Sequence, residues 1–375
     1  MKYMGSKRSL LKNGLGEILQ DEVPTARRFV DLFCGTGQVS WFVAETMRTP
    51  VLATDLQEYA VVLAGAIVQR SKAVSIDRIM SCWLGPAQGS LHGSSSYQVA
   101  TANQSSIDSD AIGLGRQLCA GTAGGPIWRA YGGHYFSPMQ AATFDHLIEF
   151  LPQQDEALSR LCRASLILTA SRCAASPGHT AQPFQPSVEA LPYIRESWQR
   201  DPVGLTLSML ERIAPRHAQI VGETLVADAN EVARGLDDGD LVFVDPPYSN
   251  VQYSRFYHVL ETIARGSCGP VSGVGRYPPR SERPRSAYSL RSSSNSAMLN
   301  LLESLAYRGC RVVLTFPQGD ASNGVNGQEL ADLTRQWFVV KARVVDSKFS
   351  TLGGNGFNRR ARHRTEELVL TLLPS

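Results

Sequence analysis

The chain has 375 residues, 43% of them hydrophobic, and a formal net charge of +3 at pH 7. That length allows one large α/β domain plus an inserted one, and no apolar run reaches the length of a membrane span. Seven cysteines without a Cys-x-x-Cys pair argue for reduced thiols and against a zinc site.

Lys2-Tyr3-Met4-Gly5-Ser6-Lys7-Arg8 reads by itself as a basic N-terminal tail. It leaves no room for a cleavable leader, so a cytoplasmic protein is expected. For Lys7 an exposed salt bridge and a place in a binding site are equally open readings.

Phe29 to Phe33 reads as a strand, Cys34-Gly35-Thr36-Gly37 as a tight turn and Gln38 to Thr46 as a helix. The glycines let backbone approach a ligand closely, and Asp31 is placed to accept from a cationic ammonium. Val51 to Thr54 is a second strand ending in Asp55, whose carboxylate suits a pair of ribose hydroxyls. A dinucleotide-binding domain has this outline too. However, Ser40 stands where that fingerprint wants its third small residue, and an acid precedes the turn where a pyrophosphate disfavours one. The pattern favours S-adenosylmethionine over NAD. Cys34 reads as a small packing residue.

Residues 85–128 are rich in Gly, Ser and Ala with little periodicity, which predicts a mobile loop. Phe144 to Leu151 and Ala157 to Ala170 read as helices. Thr224 to Ala227 reads as a strand, with Asp228 and Asn230 at its end in the place of a helix N-cap.

Leu241-Val242-Phe243-Val244 is a buried-strand pattern running into Asp245-Pro246-Pro247-Tyr248. A carboxylate at a strand's end, a prolyl pair that fixes the backbone and removes two N–H donors, and an aromatic ring suit the holding of a planar amine, such as a nucleobase's exocyclic amine. Taken alone, the tetrad reads more readily as a Pro-rich turn capped by an Asp. Cys310 to Phe316 and Leu368 to Leu373 read as strands that carry apolar packing and no chemistry. Charge is uneven along the chain. Between Pro270 and Asn295, Arg276, Arg280, Arg283, Arg285 and Arg291 face only Glu282, a net of +4. Between Lys341 and Arg364 seven basic residues face only Asp346, a net of +6, so the remainder carries about −7. Basic segments on an acidic body suit a one-sided phosphate contact surface.

Tyr-x-Gly-x-Lys at residues 3–7, Asp-x-Phe-x-Gly-x-Gly at 31–37 and Asp-Pro-Pro-Tyr at 245–248 together resemble the D12 class of DNA adenine-N6 methyltransferases, which includes the Dam-type enzymes. Tyr135-Phe136-Ser137, Gln140-Ala141, Asp145, Ala170-Ser171, Gly178 and Ala181-Gln182-Pro183 are similar to its middle segments. Gln252 to His258 with Leu260-Glu261-Thr262 is similar to one branch. The resemblance implies a Rossmann-like S-adenosylmethionine-dependent methyltransferase sheet of the α/β class, with an inserted, mainly helical target-recognition region. Residues 1–84 would be the first part of the catalytic domain, 85–149 a connecting insertion, 150–217 the recognition insertion and 218–375 the rest of the catalytic domain. It implies S-adenosylmethionine bound by Tyr3, Gly5, Lys7, Asp31, Phe33, Gly35, Gly37, Asp55 and Asp228, the last through the cofactor's adenine amine. Catalysis would fall to Asp245, Pro246, Pro247 and Tyr248. Tyr253, Arg255 and Tyr257, with Arg276, Arg280 and Arg285 of the basic segment, would touch double-stranded DNA, and no metal is implied. A cognate restriction endonuclease is a candidate second partner, and no membrane is involved. An N4-cytosine DNA or N6-adenine RNA methyltransferase shares the tetrad logic, and a catalytically silent nucleic-acid binder would share the basic segments.

Overall fold

The computed structural model describes residues 7–103, 106–350 and 362–375, with backbone alone at 346–350 and 362–365. Tyr3 and Gly5 therefore lie outside the described residues, as do Arg359 and Arg360 of the second basic segment. The described residues form two compact units, one within residues 7–72, 217–253 and 284–375 and one within residues 73–216 and 254–283.

The first unit is built on a seven-stranded sheet. Its strands are β1 (Arg28–Asp31), β2 (Val51–Asp55), β3 (Glu223–Val226), β4 (Asp240–Val244), β5 (Arg311–Pro317), β6 (Phe338–Ser350) and β7 (Arg362–Pro374), in the order β3-β2-β1-β4-β5-β7-β6. β3, β2, β1, β4 and β5 run parallel, and β7 is antiparallel to both β5 and β6. Leu241 to Val244 is fully enclosed, as a continuous apolar run in a central parallel strand must be. The strand expected over Leu368 to Leu373 is part of β7.

This order places a switch point between β1 and β4: from β1 the chain runs outward through β2 and β3, then returns to begin β4 and β5 on the other side. Ligands of open α/β sheets bind at such a point, beyond the strands' carboxyl ends. Asp31, Asp55 and Asp245 all lie there. β7 runs the opposite way, so its early residues arrive at the same edge; Glu367 pairs with Pro317 at the end of β5.

The second unit is mainly helical. Residues 85–128, expected as a mobile loop, instead hold helices Gly85–Ser90, Ser95–Ala102, Ser109–Gly121 and Pro126–Tyr131. The first three bury mostly small side chains, Ala87, Ala100, Gly115 and Cys119 beside the larger Ile112, which thins the apolar periodicity, whereas the short Pro126–Tyr131 helix buries Ile127, Trp128 and Tyr131. Caps replace that signal: Asp108 accepts from the Ala111 N–H at 2.8 Å. The Asp145 carboxylate takes the Ile127 and Trp128 N–H groups at 2.8 and 2.7 Å, capping Pro126–Tyr131 from another helix. The expected helices near 144–151 and 157–170 are Pro138–Glu149 and Glu156–Cys173, the former opened by a Ser137/Gln140 capping box.

Candidate active site

The turn after β1 is shaped by Gly37, whose φ of +71° sits in the left-handed region. A Cβ there would stand 3.0 Å from both the Ala64 Cα and the Trp41 indole nitrogen, so only glycine fits without displacement. Trp41 in turn donates to the Leu63 carbonyl at 2.9 Å, tying helix Gln38–Thr46 to helix Glu58–Val68. The Gly35 N–H donates to Asp55 Oδ2 and the Gln57 N–H to Asp55 Oδ1, both at 3.0 Å, which fixes that carboxylate beside the turn.

Asp31 is 1% exposed. Its Oδ2 accepts from the Ser40 hydroxyl at 2.5 Å, while its Oδ1 is buried and, among the described residues, takes no hydrogen bond of good geometry, although the Phe33 N–H approaches the carboxyl. Burial pushes its carboxyl up to about 7, against the Ser40 hydrogen bond and the Phe33 N–H, with the Asp245 and Asp55 charges adding to the rise. A buried acceptor left open in this way is the feature that fits a cationic ammonium. Ser40, which told against a dinucleotide site, turns out to orient this carboxylate. Cys34 is buried and its thiol is pushed well above its usual value by burial and by Asp55 and Asp31, so it stays neutral.

Phe33 meets the Tyr288 ring edge-on at 5.0 Å. The Tyr288 hydroxyl donates to Asn230 Oδ1 at 2.6 Å, and Asp228 caps helix Ala229–Ala233 by accepting from the Asn230 N–H at 2.9 Å. Asp228 thus does serve as an N-cap, with further lone pairs available to a ligand.

The Asp245 carboxylate lies where β4 ends. Its Oδ1 accepts from the Lys7 ammonium at 2.9 Å and from the Thr315 hydroxyl of β5 at 3.0 Å. Lys7 is 7% exposed, not a surface cation, and it also pairs with Glu367 of β7. Burial opposes its charge, but the two carboxylates outweigh burial and hold the ammonium above its usual range. For Asp245, burial is the largest influence and raises the carboxyl to about 6, with Lys7 pulling it down and Glu367 pushing it up.

The prolyl pair is pinned from the far side. The Asn323 amide donates to the Pro247 carbonyl at 3.0 Å and to the Tyr288 carbonyl at 2.9 Å, and the Ser322 hydroxyl donates to the Tyr248 carbonyl at 3.3 Å. Among the described residues no hydrogen bond reaches the Pro246 carbonyl. Tyr248 is 8% exposed, with the Lys7 ammonium 6.0 Å from its ring centre, and the Tyr253 side chain hydrogen-bonds with it.

The structure thus brings Lys7, Asp31, Asp55 and the tetrad to one edge of the sheet. Glu367, Thr315 and Asn323 join them. For the strand over Cys310 to Phe316 the sequence predicts apolar packing alone, which Thr315 corrects; Glu367 lies just before the expected Leu368 to Leu373 strand, and nothing short of the strand pairing would have pointed to either. The residues expected at DNA are more scattered. Arg255, Arg280 and Arg285 are exposed. Tyr257 is 1% exposed and offers no free surface, because it is packed into the helical unit. Arg276 turns inward, donating to the Ala130 and Arg129 carbonyls at 2.8 and 3.0 Å.

The profile of the D12 class N6 adenine-specific DNA methyltransferase family matches residues 3–89 and 207–304, the two segments that carry the turn after β1 and the tetrad. Over these two segments, 185 of the 375 residues, the chain matches the D12 class of N6 adenine-specific DNA methyltransferases. It is 33% identical over 113 residues to modification methylase LlaI of Lactococcus lactis subsp. lactis, a match covering 30% of this chain and 17% of that protein. It is 23% identical over 326 residues to type II methyltransferase M.FokI of Planomicrobium okeanokoites, covering 82% of this chain and 43% of that protein. The chain therefore spans less than half the length of either curated relative. For a D12-class chain the mixed seven-stranded sheet is the expected α/β methyltransferase architecture. No described helix is long and apolar enough to cross a membrane.

Proposed function

We propose that this protein transfers the methyl group of S-adenosylmethionine to the N6 amine of an adenine in a specific sequence of double-stranded DNA, as a modification methylase. The observation that carries the reading is the pair of acceptors at the end of β4: a carboxylate locked by Lys7 and Thr315 next to the unclaimed Pro246 carbonyl. The N6 lone pair of adenine is delocalised into the ring and is a poor nucleophile. Two acceptors that each take one N6 hydrogen draw the amine towards tetrahedral geometry and aim the lone pair outward. Asp245 and Pro246 are those acceptors, and Tyr248 offers a ring for the base to stack on. The target amine lies inside the duplex, so the base is flipped out at a cost of a few kcal/mol.

The cofactor, when bound, supplies an electrophilic methyl on a sulfonium. Asp31 Oδ1 would hold its ammonium, Asp55 its ribose hydroxyls and Asp228 its adenine amine, with Gly35 and Gly37 giving room at the backbone. Lys7 serves this site by keeping Asp245 ionised. The helical unit, which contains residues 150–216 of the expected recognition insertion, is assigned to target recognition, and Arg255, Arg280 and Arg285 to phosphate contact. A cognate restriction endonuclease is a candidate partner.

Incubating purified protein with unmethylated genomic DNA and S-adenosylmethionine, followed by nucleoside mass spectrometry, tests the reading. N6-methyldeoxyadenosine is the expected product. N4-methyldeoxycytidine would move the assignment to the sister chemistry, and no modified deoxynucleoside would overturn DNA as the substrate.

A further inference from the structure

In the helical unit, residues 272–277 form a tight turn closed by two hydrogen bonds between Ser272 and Tyr277, each 2.9 Å. Arg276 holds a left-handed φ of 54°, unusual outside glycine, and its anchoring on the Ala130 and Arg129 carbonyls keeps it there. The turn is braced from below by His258. Its ring lies 5.0 Å from that of Tyr277, and its nitrogens face the Arg255 and Gly275 carbonyls at 3.1 and 3.0 Å. Tyr277 is thereby fixed, and two guanidinium groups gather on it: Arg255 at 5.0 Å from the ring centre and Arg283 at 5.4 Å.

Each guanidinium is held by its inner nitrogen. Arg255 Nε donates to the Tyr277 hydroxyl at 2.9 Å, and Arg283 Nε donates to the Pro278 carbonyl at 3.1 Å. Among the described residues the terminal Nη donors of both remain uncommitted. No carboxylate pairs with Arg255, Arg280 or Arg283 among the described residues. The neighbouring Glu282 instead accepts from the Gly269 N–H at 2.9 Å. Partial burial and then the Arg280 charge depress the Arg283 guanidinium, with Arg255 adding to the effect. Like charges collected without a counterion and oriented by an aromatic ring raise the free energy of the unliganded surface, and an anion would relieve it.

We propose that Arg255 and Arg283, arranged around Tyr277, form a clamp for one phosphodiester of the DNA backbone. The assignment rests on the DNA-methylating reading above and adds to it Tyr277 and Arg283. Because the contact is to phosphate, it fixes position on the duplex and carries no sequence information. The chemistry is shared by any phosphate oxyanion; the diester is favoured because two forks splayed around a ring suit an oxyanion with two free oxygens.

Fluorescence anisotropy on two unrelated duplexes, over a series of salt concentrations, tests it with the full chain and the variants R255A, R283A, R255A/R283A and Y277A. The expected result is a loss of affinity equal on both duplexes and a fall of about 0.9 in the slope of log K against log salt for the double variant. The two arginines share one phosphate, so the double variant should lose little more than either single one. Y277A should behave like the arginine variants, and binding of S-adenosylmethionine by calorimetry should be unchanged in all of them, which shows that they fold. An unchanged slope in the double variant, strictly additive losses, or a loss confined to one duplex would overturn the clamp while leaving the methylating reading intact. Strong displacement of the wild type from DNA by millimolar inorganic phosphate at constant ionic strength would overturn the choice of a diester. A wild type that binds no duplex at all would overturn both.

Discussion

Replacing Lys7 by Met removes the cation from the middle of the Asp245–Lys7–Glu367 array and should move the pH dependence of methyl transfer. The ammonium stands 2.9 Å from Asp245 Oδ1, and with it in place the carboxyl lies near 6. An opposite charge at such range lowers a carboxyl by about 1–3 units, so its loss should carry Asp245 to roughly 7–9. Only the ionised form offers both oxygens as acceptors, so the acid limb of turnover should move up in pH by the same amount. At pH 7.5 the ionised fraction would fall to between about three-quarters and a few per cent, and activity should return near pH 9.5. Stability should change with the opposite slope. A carboxyl raised above its unfolded value takes up protons on folding, so its cost is absent below about pH 4 and grows until the folded value is passed. Above that point the variant should be destabilised by about 3–5 kcal/mol, as expected for a buried pair that has lost one member. Transfer of labelled methyl to duplex DNA between pH 5.5 and 9.5, with urea unfolding run in parallel, measures both. A uniform loss of activity at every pH, with the acid limb unmoved, would refute the electrostatic role of Lys7.

Asp245→Ala should reduce turnover at least a thousandfold while calorimetry shows S-adenosylmethionine binding within about threefold of the wild type; comparable turnover would remove Asp245 from the mechanism. Asp31→Asn should act in two directions. The wild-type carboxyl is raised to about 7, so its burial cost is fully present above that pH, and the amide should stabilise the free protein there by roughly 2–4 kcal/mol. The same change should weaken S-adenosylmethionine at least tenfold, and unchanged cofactor affinity by calorimetry would remove Asp31 as the ammonium's partner. Gly37→Ala should cost about 1–2 kcal/mol in urea unfolding, since it places a Cβ in the left-handed region against Ala64 and Trp41; no change in the midpoint would show that the turn can relax.

Much of the site was legible because its residues are local in sequence. Asp31, Gly35 and Gly37 form one strand-to-turn unit, and Asp245 to Tyr248 are consecutive at the end of an apolar strand, so local pattern placed each group where the sheet presents it. What was not legible depends on pairing between distant strands. Glu367 reaches Lys7, 360 positions away in sequence, only because β7 runs antiparallel beside β5 and brings its early residues to the carboxyl edge. Asn323 sits in a loop after β5 and looks like an ordinary turn residue until its amide is seen on the Pro247 and Tyr288 carbonyls. The helices of residues 85–128 escaped notice for a different reason: periodicity is read from large apolar side chains, and helices Ser95–Ala102 and Ser109–Gly121 bury mostly small ones, Ser96, Ala100, Gly115 and Cys119, with Ile112 as the exception.

The charges at the carboxyl edge favour a cationic ligand over a merely structural reading. Asp31, Asp55, Asp245 and Glu367 gather there with Lys7 as the cation that pairs with two of them. A structural ion-pair network would be expected to close on itself, since a buried acceptor without a partner costs about 1–3 kcal/mol. The Lys7 array does close, with Thr315 completing it. Asp31 does not: Ser40 satisfies one oxygen, and among the described residues the other has no hydrogen bond of good geometry at 1% exposure, although the Phe33 N–H approaches the carboxyl. The same split appears in the tetrad, where the Pro247 and Tyr248 carbonyls are taken and the Pro246 carbonyl is not. The chain thus fixes the groups that flank each open acceptor and leaves the acceptor itself unpaired. That division is what a site preorganised for two ligands requires, a cation beside Asp31 and an amine beside Asp245.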